Sequence, residues 1–342
     1  MHLKRLQCAF SLLQDGSSLR CSKHLRYCYG RNIFFDFNLC VSYLLLRYRS
    51  DVIRDGDVGG NCILNDNILR ERADETGYLQ SWAGELIHFA SRSDFRMDRK
   101  SCDVIFTKPV IIMKLDAGVS MYHHFCDFIN LYASQHINGS FDETVPIILW
   151  DTSAYGYHDL FSAMWRVFSQ EQPIQLKDFD GKRVCFREVM MPLLARMFFG
   201  LYYNMPLIRG CHGSGLIHAF SKHVLHRMNI RQIGPLEDKI RITLLSRDSQ
   251  YRRILNEQKV TLGLNLTLFP LLTILDVFMS VHGSGLTHLL FLPDWAAVVE
   301  IYNCGDKDCY KDLARLRGVK YFTWEDESKL TLENSVGTFI LW

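Results

Sequence analysis

From Val110 onward the chain alternates short runs of β-branched and apolar residues with stretches whose apolar positions recur every three or four residues. The first kind predicts strands over Val110–Leu115, Pro146–Trp150 and Arg183–Phe186, and the second predicts helices over His124–His136 and Tyr157–Phe168. After a helix at Gly215–Met228, the polar stretch from Asn229 to Gly234-Pro235 reads as a linker. A second series follows, with strands Ile240–Leu245, Val277–Val281, Ala297–Tyr302 and Val319–Thr323 and helices near Ser249–Glu257 and Asp308–Arg315. Such alternation argues for parallel sheets covered by helices. The expected fold class is α/β, with two Rossmann-like lobes over 101–233 and 234–342 that take ligands at the carboxyl ends of their strands. Residues 1–100 carry turn signals such as Asp55-Gly56-Asp57-Val58-Gly59-Gly60 and read as an irregular N-terminal cap.

Composition narrows the class. With 342 residues, 48% hydrophobic and 22% charged, the chain is a packed protein too long for one core. Its net charge of +2 is spread along the chain without a basic run, which argues against nucleic acid as a partner. The eleven cysteines lack paired C-x-x-C spacing, so structural zinc is not expected. Together with the sequons Asn138-Gly139-Ser140 and Asn265-Leu266-Thr267, they point to an oxidising lumen, where both asparagines would be glycosylated. No signal peptide with a small-residue cleavage site is visible at the start and no retention tetrapeptide at Phe339–Trp342. The apolar run Ile33–Leu46 carries Asp36 and Asn38 and is too short to span a bilayer.

Three patterns could carry chemistry. The strand Val277–Val281 runs into His282-Gly283-Ser284-Gly285-Leu286-Thr287-His288, a small-residue turn opening a helix, whose amides could receive a diphosphate; the alternative is a tight structural turn. Ser284 lacks the flanking glycines of a hydrolase nucleophile elbow, since His282 and Leu286 stand in their place. The echo His212-Gly-Ser-Gly-Leu-Ile-His218 is too short to establish a duplication. Arg247, just past the strand Ile240–Leu245, could clamp the same diphosphate, with Arg252 a weaker candidate. In Lys114-Leu-Asp116-Ala-Gly118-Val-Ser-Met-Tyr122-His123-His124-Phe125-Cys126-Asp127-Phe128, His124 and Asp127 lie three apart on a first helical turn. Either could take a proton from an acceptor hydroxyl, with Asp116 next in line; the alternative is a core histidine and a carboxylate set against the helix dipole. Glu300, ending a strand, could accept hydrogen bonds from ribose or sugar hydroxyls. The Asp-x-Asp pairs 55/57, 178/180 and 306/308 sit in turn-like contexts and assign no metal site. If Arg247 and the turn amides neutralise the diphosphate, the chemistry requires no cofactor, although a divalent metal is compatible with it.

The blocks Lys114–Phe128, Trp150-Asp-Thr-Ser-Ala-Tyr-Gly-Tyr157, His282–Trp295 and Cys309–Val319 resemble the EGF domain-specific O-linked N-acetylglucosamine transferases of glycosyltransferase family 61. The resemblance runs from about Cys28 to Trp324. It implies an inverting, two-lobed GT-B enzyme of the endoplasmic reticulum lumen that uses UDP-GlcNAc on Ser or Thr of EGF repeats, such as those of Notch receptors. Against the family pattern, Ser284 stands where alanine is usual, and the segment Asn256–Val281 is shorter, so a shortened second lobe is expected. Two alternatives accompany this reading: a catalytically impaired binding form of the same fold, and a related glycosyltransferase with another acceptor.

Overall fold

The computed structural model describes residues 16–37, 52–64, 69, 79–116, 118–150, 161–197, 212–245, 274–301 and 308–324. The chain divides into two compact units, Met1–Pro206 and Leu207–Trp342.

In the first unit, strands β1 (Ser18–Cys21), β2 (Cys28–Phe37), β3 (Val58–Gly60), β4 (Phe89–Ser91), β5 (Val104–Lys114), β6 (Ile147–Trp150), β7 (Ile174–Gln175) and β8 (Lys182–Met191) form one sheet. Its order is β4-β3-β2-β8-β5-β6-β7, with β1 paired to β2. Pairing among β5 through β8 is parallel, but β2 runs antiparallel to β8, β3 and β1. The sheet is thus mixed rather than parallel throughout, and residues expected to form a separate cap complete it. The reason is burial: Phe35 and Phe37 of β2 pack edge-on against Trp150, and Phe35 also meets Phe186 of β8. Each such ring contributes on the order of 2 kcal/mol of apolar burial. Gly59 looked like a turn residue, yet it lies in β3. A Cβ there would fall 2.5 Å from the Ala90 carbonyl oxygen and 2.6 Å from the Phe34 ring, so glycine is what lets three strands approach.

The last five residues of β5 are buried, as befits a strand flanked on both sides. Its register against β8 shifts between Phe106 and Pro109, where proline has no N–H to offer the ladder. Helix α1 (Ala83–Leu86) is a single turn, α2 (Met121–Asn138) follows β5, and α3 (Ser162–Trp165) follows β6. Only that short turn represents the helix predicted over Tyr157–Phe168 among described residues. Gly139, with φ 66° and ψ 23°, ends α2 in the left-handed conformation favoured at helix C-termini. Disulfides join Cys21 to Cys28 and Cys102 to Cys185.

The second unit carries β9 (Ile242–Leu245), β10 (Val277–Val281), β11 (Ala297–Ile301) and β12 (Lys320–Trp324), all parallel, in the order β12-β11-β10-β9. These are close to the predicted strands. Helix α4 (Gly215–Arg227) was expected in the first lobe, whereas the boundary at 206/207 places it here. Phe220 of α4 packs against Phe291, and Arg317, at the end of α5 (Cys309–Arg317), ties the elements together. The buried Arg317 guanidinium donates to the carbonyls of Leu290 (2.9 Å) and Leu292 (2.6 Å) and pairs with Asp294 at 2.9 Å. The helix predicted at Ser249–Glu257 lies outside the described residues, as does most of Asn256–Val281. No described helix is long and apolar enough to cross a membrane.

Candidate functional site

Among the described residues, two clusters contain the predicted catalytic and donor-binding residues, one in each unit. In the first unit, β5 ends at Lys114 and α2 begins at Met121, three residues earlier than predicted, so His123 falls within the first helical turn. Asp116, with a fully buried side chain, accepts a hydrogen bond from Arg196 Nε at 3.0 Å, lies 2.8 Å from Arg196 Nη2 as an ion pair, and contacts His123 Nδ1 at 2.8 Å. Burial alone would raise the Asp116 carboxyl, but the contacts to His123 and Arg196 hold it below the usual carboxylate range. An ionised carboxylate only accepts, so the proton in the His123 contact sits on Nδ1. The His123 ring keeps 22% of its surface open and Arg196 keeps 24%.

His124 behaves differently. Its ring is fully buried against Phe128 (centroids 4.4 Å apart), Phe161 and Trp165, and this desolvation pushes its pKa down to about 3 against the pull of Asp116. So weak and enclosed a base cannot serve an acceptor hydroxyl, and His124 is corrected to a core histidine. Asp127 is also buried; one carboxylate oxygen accepts the Asp116 backbone N–H at 3.2 Å and lies 3.3 Å from His124 Nδ1. Its place is to fix the loop between β5 and α2. The structure thus brings His123 and Arg196, which the sequence reading did not single out, onto Asp116.

Behind this cluster lies a buried ion pair. Lys114 Nζ donates to Glu85 (2.6 Å) and to the Ser81 carbonyl (3.3 Å) while resting 4.6 Å from the Trp82 ring centroid.

In the second unit, β10 ends at Val281 and a 3-10 helix runs from Ser284 to Phe291, where an α-helix was expected. Gly283 joins them with φ 154° and ψ 173°, a region open essentially to glycine alone. His282 contacts Glu300 through Nδ1, and Tyr321 of β12 donates to the other Glu300 oxygen. Glu300 is 1% exposed with both oxygens engaged by His282 and Tyr321, so neither is open to a ribose hydroxyl. The His282 ring also stands edge-on to Tyr310. Ser284 and Gly285 are partly exposed on the turn. His288, lowered in pKa by burial, turns its Nδ1 back to the Gly285 carbonyl at 2.7 Å. The echo motif also opens a helix: Ser214 caps α4, its hydroxyl accepting the Ile217 N–H at 3.4 Å.

Arg247, Arg252 and Asn265 lie outside the described residues, and Asn138 is exposed at the end of α2. Asp57 and Asp178 each accept a backbone N–H within their turns. No group of three His, Cys, Asp or Glu converges as metal ligands would among the described residues.

No protein-family model matches the chain. It is 47% identical over 337 residues to the EGF domain-specific O-linked N-acetylglucosamine transferase of Bos taurus, covering 93% of this chain and 64% of that protein. It is 47% identical over 333 residues to the protein of that name in Gallus gallus, covering 92% and 62%. For Drosophila melanogaster the values are 46% over 342 residues, 93% and 65%. The chain spans just under two thirds of the length of these relatives. The resemblance read from the sequence blocks is thereby borne out, and over nearly all of its own length the chain is similar to EGF domain-specific O-linked N-acetylglucosamine transferases of vertebrates and Drosophila.

Proposed function

We propose that the chain transfers N-acetylglucosamine from UDP-GlcNAc, with inversion, to Ser or Thr hydroxyls of EGF repeats such as those of Notch receptors, in the endoplasmic reticulum lumen. The similarity over 93% of the chain to transferases of that name carries this reading. The second unit offers a chemical counterpart. The turn His282–Gly285 follows a parallel strand at its carboxyl end, and Gly283 keeps the backbone bare where a diphosphate would approach. In this reading Arg247 adds a cation to the same diphosphate, the two units are the lobes of a GT-B enzyme, and the disulfides and the exposed Asn138 suit the lumen. The direct test incubates the purified chain with several UDP-sugars and a folded EGF repeat and follows acceptor mass. A gain of one N-acetylhexosamine from UDP-GlcNAc alone is expected. UDP binding without any gain would identify a binding form of the fold instead. For Arg247→Ala, calorimetry with UDP should register a loss of about 1.5–3 kcal/mol, the usual worth of a charge-assisted contact; unchanged affinity removes Arg247 from the site.

A further inference from the structure

Resting on that proposed transfer, we infer that His123 is the base that deprotonates the acceptor hydroxyl, held in its working tautomer by Asp116 and Arg196 as positioning residues.

The geometry eliminates the other candidates in turn. His124 is enclosed by aromatic rings. The carboxylates of Asp116 and Asp127 have 0% and 1% of their side-chain surface exposed, so a protein hydroxyl cannot reach them. His123 combines access with orientation. It is partly open, sits on the first turn of α2 at the end of a parallel strand, and its Nδ1–H donates to a carboxylate that cannot turn away. Two Arg196 contacts to the same Asp116 oxygen and the Asp127 bond to the Asp116 backbone N–H fix that carboxylate from two sides.

With the Nδ1 proton committed to Asp116, Nε2 carries the lone pair, as the base in a histidine–carboxylate dyad requires. In the transfer step the acceptor oxygen bonds to the anomeric carbon as that carbon's bond to the β-phosphate oxygen breaks. The bonding pair leaves with UDP, and the hydroxyl proton moves to Nε2. The imidazolium formed is stabilised by Asp116 and returns its proton to water after product departs. Arg196 keeps Asp116 ionised throughout by its adjacent charge.

The test uses the full chain with UDP-GlcNAc and a folded EGF repeat. His123→Gln should lower kcat by about 10²–10⁴-fold, the usual worth of a positioned base, with the KM for UDP-GlcNAc and the thermal midpoint unchanged. Asp116→Asn should lower kcat in the same way, since the amide can donate to Nδ1 and leave the proton on Nε2. Imidazole ¹⁵N spectra should then show the His123 proton on Nδ1 in the parent and on Nε2 in the Asp116→Asn chain. A His123→Gln chain with kcat within twofold of a working parent overturns the assignment of His123 and leaves the proposed transfer intact. A parent ¹⁵N spectrum with the proton on Nε2 also overturns it. A folded parent that transfers no sugar overturns both.

Discussion

Replacing Lys114 by methionine leaves Glu85 buried without its cation. Glu85 is 5% exposed and Lys114 1%, and their charged atoms lie 2.6 Å apart. Stranding one member of such a pair costs about 3–5 kcal/mol, a large share of the roughly 5–15 kcal/mol that holds a folded domain. The lost Lys114 bond to the Ser81 carbonyl adds about 1 kcal/mol. Lys114→Met should therefore lower the unfolding free energy of the first unit by about 4–6 kcal/mol. Lys114→Met/Glu85→Leu removes the stranded charge and should stand within about 2 kcal/mol of the parent. Urea unfolding followed by tryptophan fluorescence measures both, because Trp82 touches the Lys114 ammonium and reports this unit directly. If the double variant is as unstable as the single one, the loss comes from packing at residue 114 and the charge argument fails. The pair anchors α1 to the carboxyl end of β5, two residues before Asp116, so transfer should fall with stability in the single variant and return in the double one.

Other outcomes follow from the same geometry. The pKa of His124 falls from 6.5 to about 3 on folding, so its contribution to stability is complete above pH 6.5 and is lost as pH falls toward 3. Between pH 7 and 4.5 the His124→Phe chain should lose roughly 3 kcal/mol less unfolding free energy than the parent in paired urea titrations, and identical losses would place the titration elsewhere. Gly283→Ala forces a side chain into a conformation costing about 1–3 kcal/mol, so calorimetry should find UDP binding weakened about tenfold, and full affinity would separate the turn from the donor. Cys102→Ser opens a link across 83 residues and should lower stability by about 4 kcal/mol; a loss under 1 kcal/mol would show that β5 and β8 hold without it.

How far the sequence led depended on the kind of information each element needed. The bounds of β10 were legible because an unbroken apolar run stops at His282, and a small-residue turn has no other way to follow a buried strand. Pairing direction was not, since alternation along β2 is the same whether β8 runs with it or against it. Which of the two adjacent histidines stays partly open was not legible either, for a related reason. Two adjacent histidines differ by 100° around a helix, and only the phase set by the helix start decides which faces inward. Since α2 is buried on every side from His124 to Gln135, apolar spacing along it carries no phase, and His123 stays partly open because it precedes that run. Arg196 had no such marker, because its partner is 80 positions away and its own neighbours form no motif.

The register shift in β5 separates two fixed ends of one strand. Before it, residues 104–106 pair with 184–186 beside the Cys102–Cys185 link; after it, residues 109–111 pair with 188–190 and lead to Lys114 and Asp116. One extra residue on β5 is absorbed between them, so the strand acts as a slip joint. Its disulfide end is clamped covalently and its site end is indexed by side-chain contacts, without either dictating the other's phase. Deleting Thr107 or Lys108 removes that slack. One residue of β5 then faces one of β8 between the two paired stretches, so the ladder becomes regular and both ends can keep their partners, whereas deleting both would force one end to shift by about 3.3 Å. Variation in length along the first half of β5 is thus harmless to the His123 cluster only so long as the joint can take it up.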